Sequence, residues 1–281
     1  MVNIAANIGN YQLGILIVGL DIIQNTQSSL FKREIIMSDG EYTLSKNALK
    51  NFILRVDLLK SDMINFISLA EKLAINFDRS EKKQIKNFKL KFTQDDSEMT
   101  KEDNFDYVLI SEDNNVTLTF SEIQDAFWIQ SNQYKDNTVY KNIIHNIIEA
   151  ANVVSPEIQA KRIGMRYINE FKCSTIKGIS NIYGKRLSTI IKQMLKEPEQ
   201  SRLIGMEEYN NDGYKIRFQY GIPNKFYPSV ISVFDLLMDI DSYIESTSGI
   251  NEWEEIIVNL NHSAYGKFSH EINEKYLKGL K

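Results

Sequence analysis

Cysteine is almost absent from this chain of 281 residues: Cys173 stands alone, beside four prolines and three histidines. One thiol excludes an internal disulfide framework and a thiolate-built zinc centre, and usage this sparse leads one to expect a reducing cytoplasm. Long apolar runs are missing too. The most apolar early segment, Leu13 to Ile23, is interrupted by Gly14, Gly19 and Asp21 and follows no basic stretch, so it reads as a buried strand rather than a signal peptide or a membrane span. There is no basic excess: 33 Lys and Arg against 37 Asp and Glu leave a formal charge of -4 and a pI near 5.6. That balance argues against a protein whose main task is holding nucleic acid, since phosphate binding needs a basic surface.

Catalytic signatures are also lacking. Gly178, Gly184 and Gly205 are isolated, and none is followed by the lysine-serine or lysine-threonine pair of a phosphate-cradling loop. Neither a GxSxG elbow nor an HExxH helix occurs. His145, His262 and His270 fall at no ligand spacing, and Cys173 has no activating base in sight, so they read as surface histidines and a small buried hydrophobe.

What the chain does have is 43% hydrophobic and 11% aromatic residues, ample for a packed core. Its centre is Lys161 to Phe171, KRIGMRYINEF. Read as a strand, Ile163, Met165, Tyr167 and Phe171 take one face and Arg162, Gly164 and Arg166 the other. Before it, Tyr11–Ile23 and Phe31–Met37 suggest an N-terminal hairpin. Phe52 to Leu58 is a strand with Ile53, Arg55 and Asp57 turned from its apolar side, and Asp62 caps a helix running to about Phe77. A strand from Phe88 to Phe92 precedes an acidic run, Gln94 to Asn104, which reads as a solvated loop. Tyr107–Ile110, Val116–Phe120 and Ala126–Ser131 are strands, and Tyr140 to Ala151 is an amphipathic helix.

After the centre the order returns: a helix over Ile182–Leu195, strands over Leu203–Glu207, Tyr214–Tyr220 and Val233–Ile240, and a long helix from Trp253 to Ile272. The expected fold is α+β: pseudo-duplicated β-α-β-β-β-α units forming a curved antiparallel sheet with helices on one side, plus the N-terminal hairpin. It looks like the saddle of the TATA-binding protein fold, a likeness of fold alone. The expected boundaries are 1–45 for the hairpin, 46–158 for the first unit and 159–281 for the second.

The string Arg162-Ile163-Gly164-Met165-Arg166-Tyr167-Ile168-Asn169 resembles the arginine, apolar, glycine, apolar, arginine, tyrosine, apolar, asparagine motif of a sporadically distributed bacterial family of similar length that has no assigned activity. The resemblance extends from about Phe52 to the C-terminus, through Leu236–Asp241 and Trp253–Ile272. It implies a role near mobile or defence-associated genes and supplies no catalytic residues.

Two sets of side chains stand out as candidate sites. Arg162 and Arg166 leave one strand face about 13 Å apart, with Gly164 between them allowing close approach; they suit two anionic groups, or else each pairs with a strand carboxylate such as Glu207 or Asp239. Asp235, Asp239 and Asp241 project together from another strand. Asp239 and Asp241 are weak candidates for magnesium, and Lys215, Arg217 and Gln219 on the neighbouring strand would satisfy them without metal. Aromatics such as Phe127, Trp128, Tyr167 and Tyr220 read as core before base-stacking platforms.

The leading expectation is a cytoplasmic, non-catalytic interaction protein of a bacterial defence or toxin-regulating set, binding a protein partner or a second copy through the sheet's open face and the N-terminal hairpin, with Arg162, Gly164, Arg166, Lys215 and Arg217 at the contact and no cofactor. A small-molecule or nucleotide sensor holding an anion at Arg162 and Arg166 is the alternative, and a metal-dependent nuclease using Asp239 and Asp241 a third. Membrane and nucleic-acid partners are not expected.

Overall fold

The computed structural model describes residues 48–59, 65–92, 97–112, 115–132, 137–195, 197, 199–211 and 213–280. The expected N-terminal hairpin and Asp62 itself lie outside them, but the helix expected to be capped by Asp62 starts at Phe66 and is capped by Asn65, whose side-chain oxygen accepts from the Ser68 N–H at 3.0 Å. The chain divides into two units, and the sheet and helices belong to the second, Glu41–Lys281.

Strands β1 (Leu49–Leu58), β2 (Arg79–Phe92), β3 (Ser97–Ile110), β4 (Val116–Ser121), β5 (Ala126–Ser131), β6 (Gln159–Phe171), β7 (Leu203–Asn211), β8 (Tyr214–Ile222), β9 (Leu236–Ile244) and β10 (Ser248–Gly249) form one sheet. Its order is β2-β3-β4-β5-β1-β6-β9-β8-β7, with β10 on β6, and every pairing is antiparallel. The helices are α1 (Phe66–Leu73), α2 (Asn137–Val154), α3 (Ile179–Ile182), α4 (Lys185–Met194), α5 (Trp253–Glu271) and α6 (Glu274–Lys278). The protein is thus α+β. The KRIGMRYINEF strand, β6, pairs with β1 on one side and β9 on the other.

Alternation decides which face is covered. Phe52, Leu54, Val56 and Leu58 of β1, Ile163 and Met165 of β6, and Val116, Leu118 and Phe120 of β4 enter one apolar cluster with α1, α2 and the first half of α5. Phe171, Phe218, Tyr220, Leu236, Met238 and Ile240 enter a second with α3, α4 and the end of α5. Each fully buried leucine or phenylalanine stabilises the packing by about 1.5–3 kcal/mol, and successive strand residues point to opposite sides, so the described helices all gather on one face of the sheet. Between β1 and β6 the register slips after Asp57↔Arg162 to Leu58↔Ala160, a bulge at Lys161 that keeps Ala160 and Ile163 both in the core.

Three expected boundaries change. The acidic run beginning at Gln94 is strand from Ser97 onward: β3 pairs along its whole length with lysine-rich β2, setting Asp106 opposite Lys83 and Asp103 opposite Lys86. A partner strand of opposite charge overrides the polar composition. The helix expected over Ile182–Leu195 is two. Tyr183 breaks out at ψ 147 because its fully buried ring enters the core, where its hydroxyl donates to the Leu237 carbonyl at 2.6 Å. The strand expected from Val233 starts at Leu236.

Candidate functional site

The face away from the helices carries the other half of each strand's alternation, and the register lines those residues up in rows. One row runs Trp128, Arg55, Gly164, Tyr243, Lys215 across β5, β1, β6, β9 and β8, and the next runs Gln130, Ile53, Arg166, Asp241, Arg217, Glu208 out to β7. Four of the five candidate contact residues named from sequence, and Asp241, therefore sit in two adjacent rows. Arg162 lies directly opposite Asp57, one row along.

Gly164 explains the arrangement. A Cβ there would stand 2.9 Å from both terminal nitrogens of Arg162, so the missing side chain is the space in which the Arg162 guanidinium lies. From that position Arg162 reaches Asp241 at 3.2 Å and Asp57 at 3.7 Å, and its guanidinium carbon is 4.7 Å from the centre of the Tyr243 ring. Across the gap Arg55 bonds Asp57 at 2.7 Å, donates to Gln124 at 2.8 Å and lies 5.5 Å from the Trp128 ring. The result is a ladder, Trp128, Arg55, Asp57, Arg162, Tyr243, in which each cation has both a carboxylate and an aromatic neighbour.

Arg166 takes Asp239 rather than the Asp241 that its register sets opposite, through Nε at 2.9 Å and Nη2 at 2.6 Å, the planar fork on a carboxylate that arginine favours. Those bonds, with Asp239 and Asp241 close by, raise the Arg166 pKa further against the opposing effect of burial. Asp241 behaves differently. Burial pushes its carboxyl above the usual range, and Asp239 adds to this, while Arg162, Arg166 and Arg217 pull the other way without prevailing. Arg217 binds Glu208 at 2.7 Å and Lys215 binds Glu245 at 2.6 Å.

Among the described residues no three metal-ligating side chains gather at one place, and Asp239 and Asp241 are each bonded to an arginine. Glu207, expected as a partner for Arg162 or Arg166, points to the helix face instead. There Arg186 of α4 forks onto it at 2.8 and 3.2 Å and onto Glu271 of α5 at 2.6 and 3.2 Å, while Lys267 donates to Glu271 at 2.8 Å and to the Tyr209 hydroxyl at 2.9 Å. Tyr220 donates to Glu207 at 3.1 Å and Tyr209 also bonds it. Burial raises the Glu207 carboxyl, but the hydrogen bonds from Arg186 and Tyr209 and the charges of Arg186 and Lys267 outweigh it and leave the group below the usual range. Burial, with Glu207 beside it, pushes Tyr220 up to about 12.

Of the histidines, His145 sits exposed between Glu254 at 3.1 Å and Glu149 at 3.3 Å, whose bonds and charge raise its pKa. Cys173 is buried and donates to the Thr175 carbonyl at 3.0 Å. The sequence reading missed Tyr243 and the Arg186 cluster. Tyr243 shares the parity of Asp239 and Asp241 and could have been found by extending their strand; the cluster joins segments 64 residues apart between Glu207 and Glu271 and has no local signal. No helix of the described residues is long and apolar enough to cross a membrane. Comparison with protein-family models, curated proteins and solved structures finds no match for the chain.

Proposed function

We propose that this protein is a binding component without chemistry of its own, and that the polar sheet face around Arg55, Arg162 and Tyr243 is where a protein partner docks. The observation that carries the reading is the ladder itself. The few residues that dominate binding energy at protein interfaces are enriched in arginine, tyrosine and tryptophan, and here Arg55 and Arg162 stand on rigid strands with their rotamers held by carboxylates, by Trp128 and by the largely buried Tyr243. A surface ordered before it is met loses little entropy when covered. In the same reading the two halves, each a strand, a helical segment, a meander and a helix, are one unit used twice, and the sheet is a saddle whose helix-free side is the working surface. In this reading the partner belongs to a bacterial defence or toxin-regulating set, which is what the resemblance of the Arg162–Asn169 motif implies. The test is capture from the host with the full chain as bait, against Arg55→Ala and Tyr243→Ala baits of unchanged circular dichroism. A partner held by the wild type and lost with both variants supports the reading; a partner retained by both, or none recovered at stoichiometric level, overturns it.

A second reading, an anion sensor, is favoured by the exposure of the Arg166 side chain, 43% against 23% for Arg162. It requires a nucleotide to raise the melting temperature by binding linkage and Arg166→Ala to abolish that rise.

A further inference from the structure

The two outermost strands of the sheet differ in how they meet solvent. Edge strands offer unpaired backbone groups to any passing strand, and proteins blunt them with charge, lysine above all. On β2 the exposed side chains include Arg79, Lys82, Lys83 and Lys86. On β7 the sequence Leu203-Ile204-Gly205-Met206 has no charge, no proline and no lysine, and Ile204 and Met206 are 41% and 59% exposed on the polar-face side. Among the described residues no strand pairs with the outer side of β7, and every second residue of such a strand turns its N–H and C=O outward.

We infer that β7 is a self-pairing edge, on which a second copy of this chain adds its own β7 antiparallel about a two-fold axis through Gly205. The register follows from complementarity. Centred on Gly205, Ile204 stands opposite the partner's Met206 and Arg202 opposite the partner's Glu208, and the two-fold repeats both pairs. On the polar-face side apolar meets apolar at the middle and opposite charges meet at the ends, while on the helix side Leu203 stands opposite the partner's Glu207. Centred on Met206, the pairing would set that residue against itself and Ile204 against a glutamate; centred on Glu207, it would set Met206 against a glutamate and Ile204 against an asparagine. Cross-strand pairs of the first kind are the stabilising ones, and isologous contacts must be self-complementary in this way.

The charged ends are already in place. Arg202 donates to the Pro223 carbonyl at 3.2 Å and lies 4.1 Å from the Tyr227 ring, which holds it at the head of the strand. Glu208 is fixed by Arg217 at 2.7 Å. Tyr227 is held in turn by the loop around Asn224, a buried residue whose amide donates to the Ser201 and Ser229 carbonyls at 2.7 Å each.

Light scattering of the full chain should give twice the 32.5 kDa of one copy, and Met206→Lys should return it to a single chain with unchanged circular dichroism. The register is read by cross-linking. Oxidation of a mixture of Ile204→Cys and Met206→Cys chains should produce a covalent dimer, and either variant alone should not. A wild-type mass of one chain, a Met206→Lys protein that still doubles, or efficient cross-linking by Met206→Cys alone would each overturn the inference. If Met206→Lys fails to fold, the cross-linking result decides.

Discussion

Replacing Arg186 by methionine removes the cation that two carboxylates share and keeps most of the apolar stem. In the wild type its guanidinium forks onto both Glu207 and Glu271, and the Glu271 side chain is only 1% exposed. After the change, two carboxylates remain beside one cation, Lys267. Breaking a fully buried ion pair from one side costs about 3–5 kcal/mol. Arg186 itself is 40% exposed, so water screens the Glu207 half of the interaction and the loss falls to about 2–3 kcal/mol. For a body of this size that is a fall in melting temperature of about 5–10 °C, measurable by calorimetry or by circular dichroism at 222 nm, and Arg186→Lys should recover part of it. The pH dependence adds a sign. Glu207 has a folded pKa below its unfolded one, so its contribution is complete above the ordinary glutamate range and is lost as pH falls through the lower folded value. Without Arg186, burial prevails and that pKa moves up, so the gap between wild type and variant should narrow on acidification. A shift below about 1 °C at neutral pH, or a gap that widens in acid, would refute the reasoning.

Two further changes test the architecture. Gly164→Ala should destabilise by about 1 kcal/mol, because the new methyl evicts the Arg162 guanidinium from between its aspartates and Tyr243; in an Arg162→Ala background the same change should be neutral or stabilising, since alanine then only restricts the unfolded chain, and a denaturant-melt cycle in which the change costs as much without Arg162 as with it would show that the two residues are not coupled. Gly221→Ala should abolish stable folding or lower the melting temperature far more than Gly213→Ala, as Gly221 has φ +137 and a Cβ there would clash with the Leu203 carbonyl oxygen, whereas Gly213 at φ +85 faces open space and costs only the ~1–2 kcal/mol of a left-handed residue; equal melting temperatures would contradict this.

Local pattern alone was enough to decide several things about this protein. Period-2 alternation divided Ile163, Met165 and Phe171 from Arg162, Gly164 and Arg166, and it separated Arg55 and Asp57 from the apolar side of β1, because each residue's face depends only on its neighbours in the chain. Other properties required coordinates. Nothing near Arg166 in the chain specifies Asp239, which arrives from 73 residues away, and the use of Gly164 as a berth for Arg162 depends on how a long side chain folds back over its own strand. Residues after Ser97 became strand because a basic neighbour was available to pair with them, and Glu207 went to Arg186 because α4 and α5 bring Arg186 and Lys267 within reach of it. Face is a consequence of backbone geometry, read one residue at a time. Partnership is a consequence of register and packing, which are set by the chain as a whole.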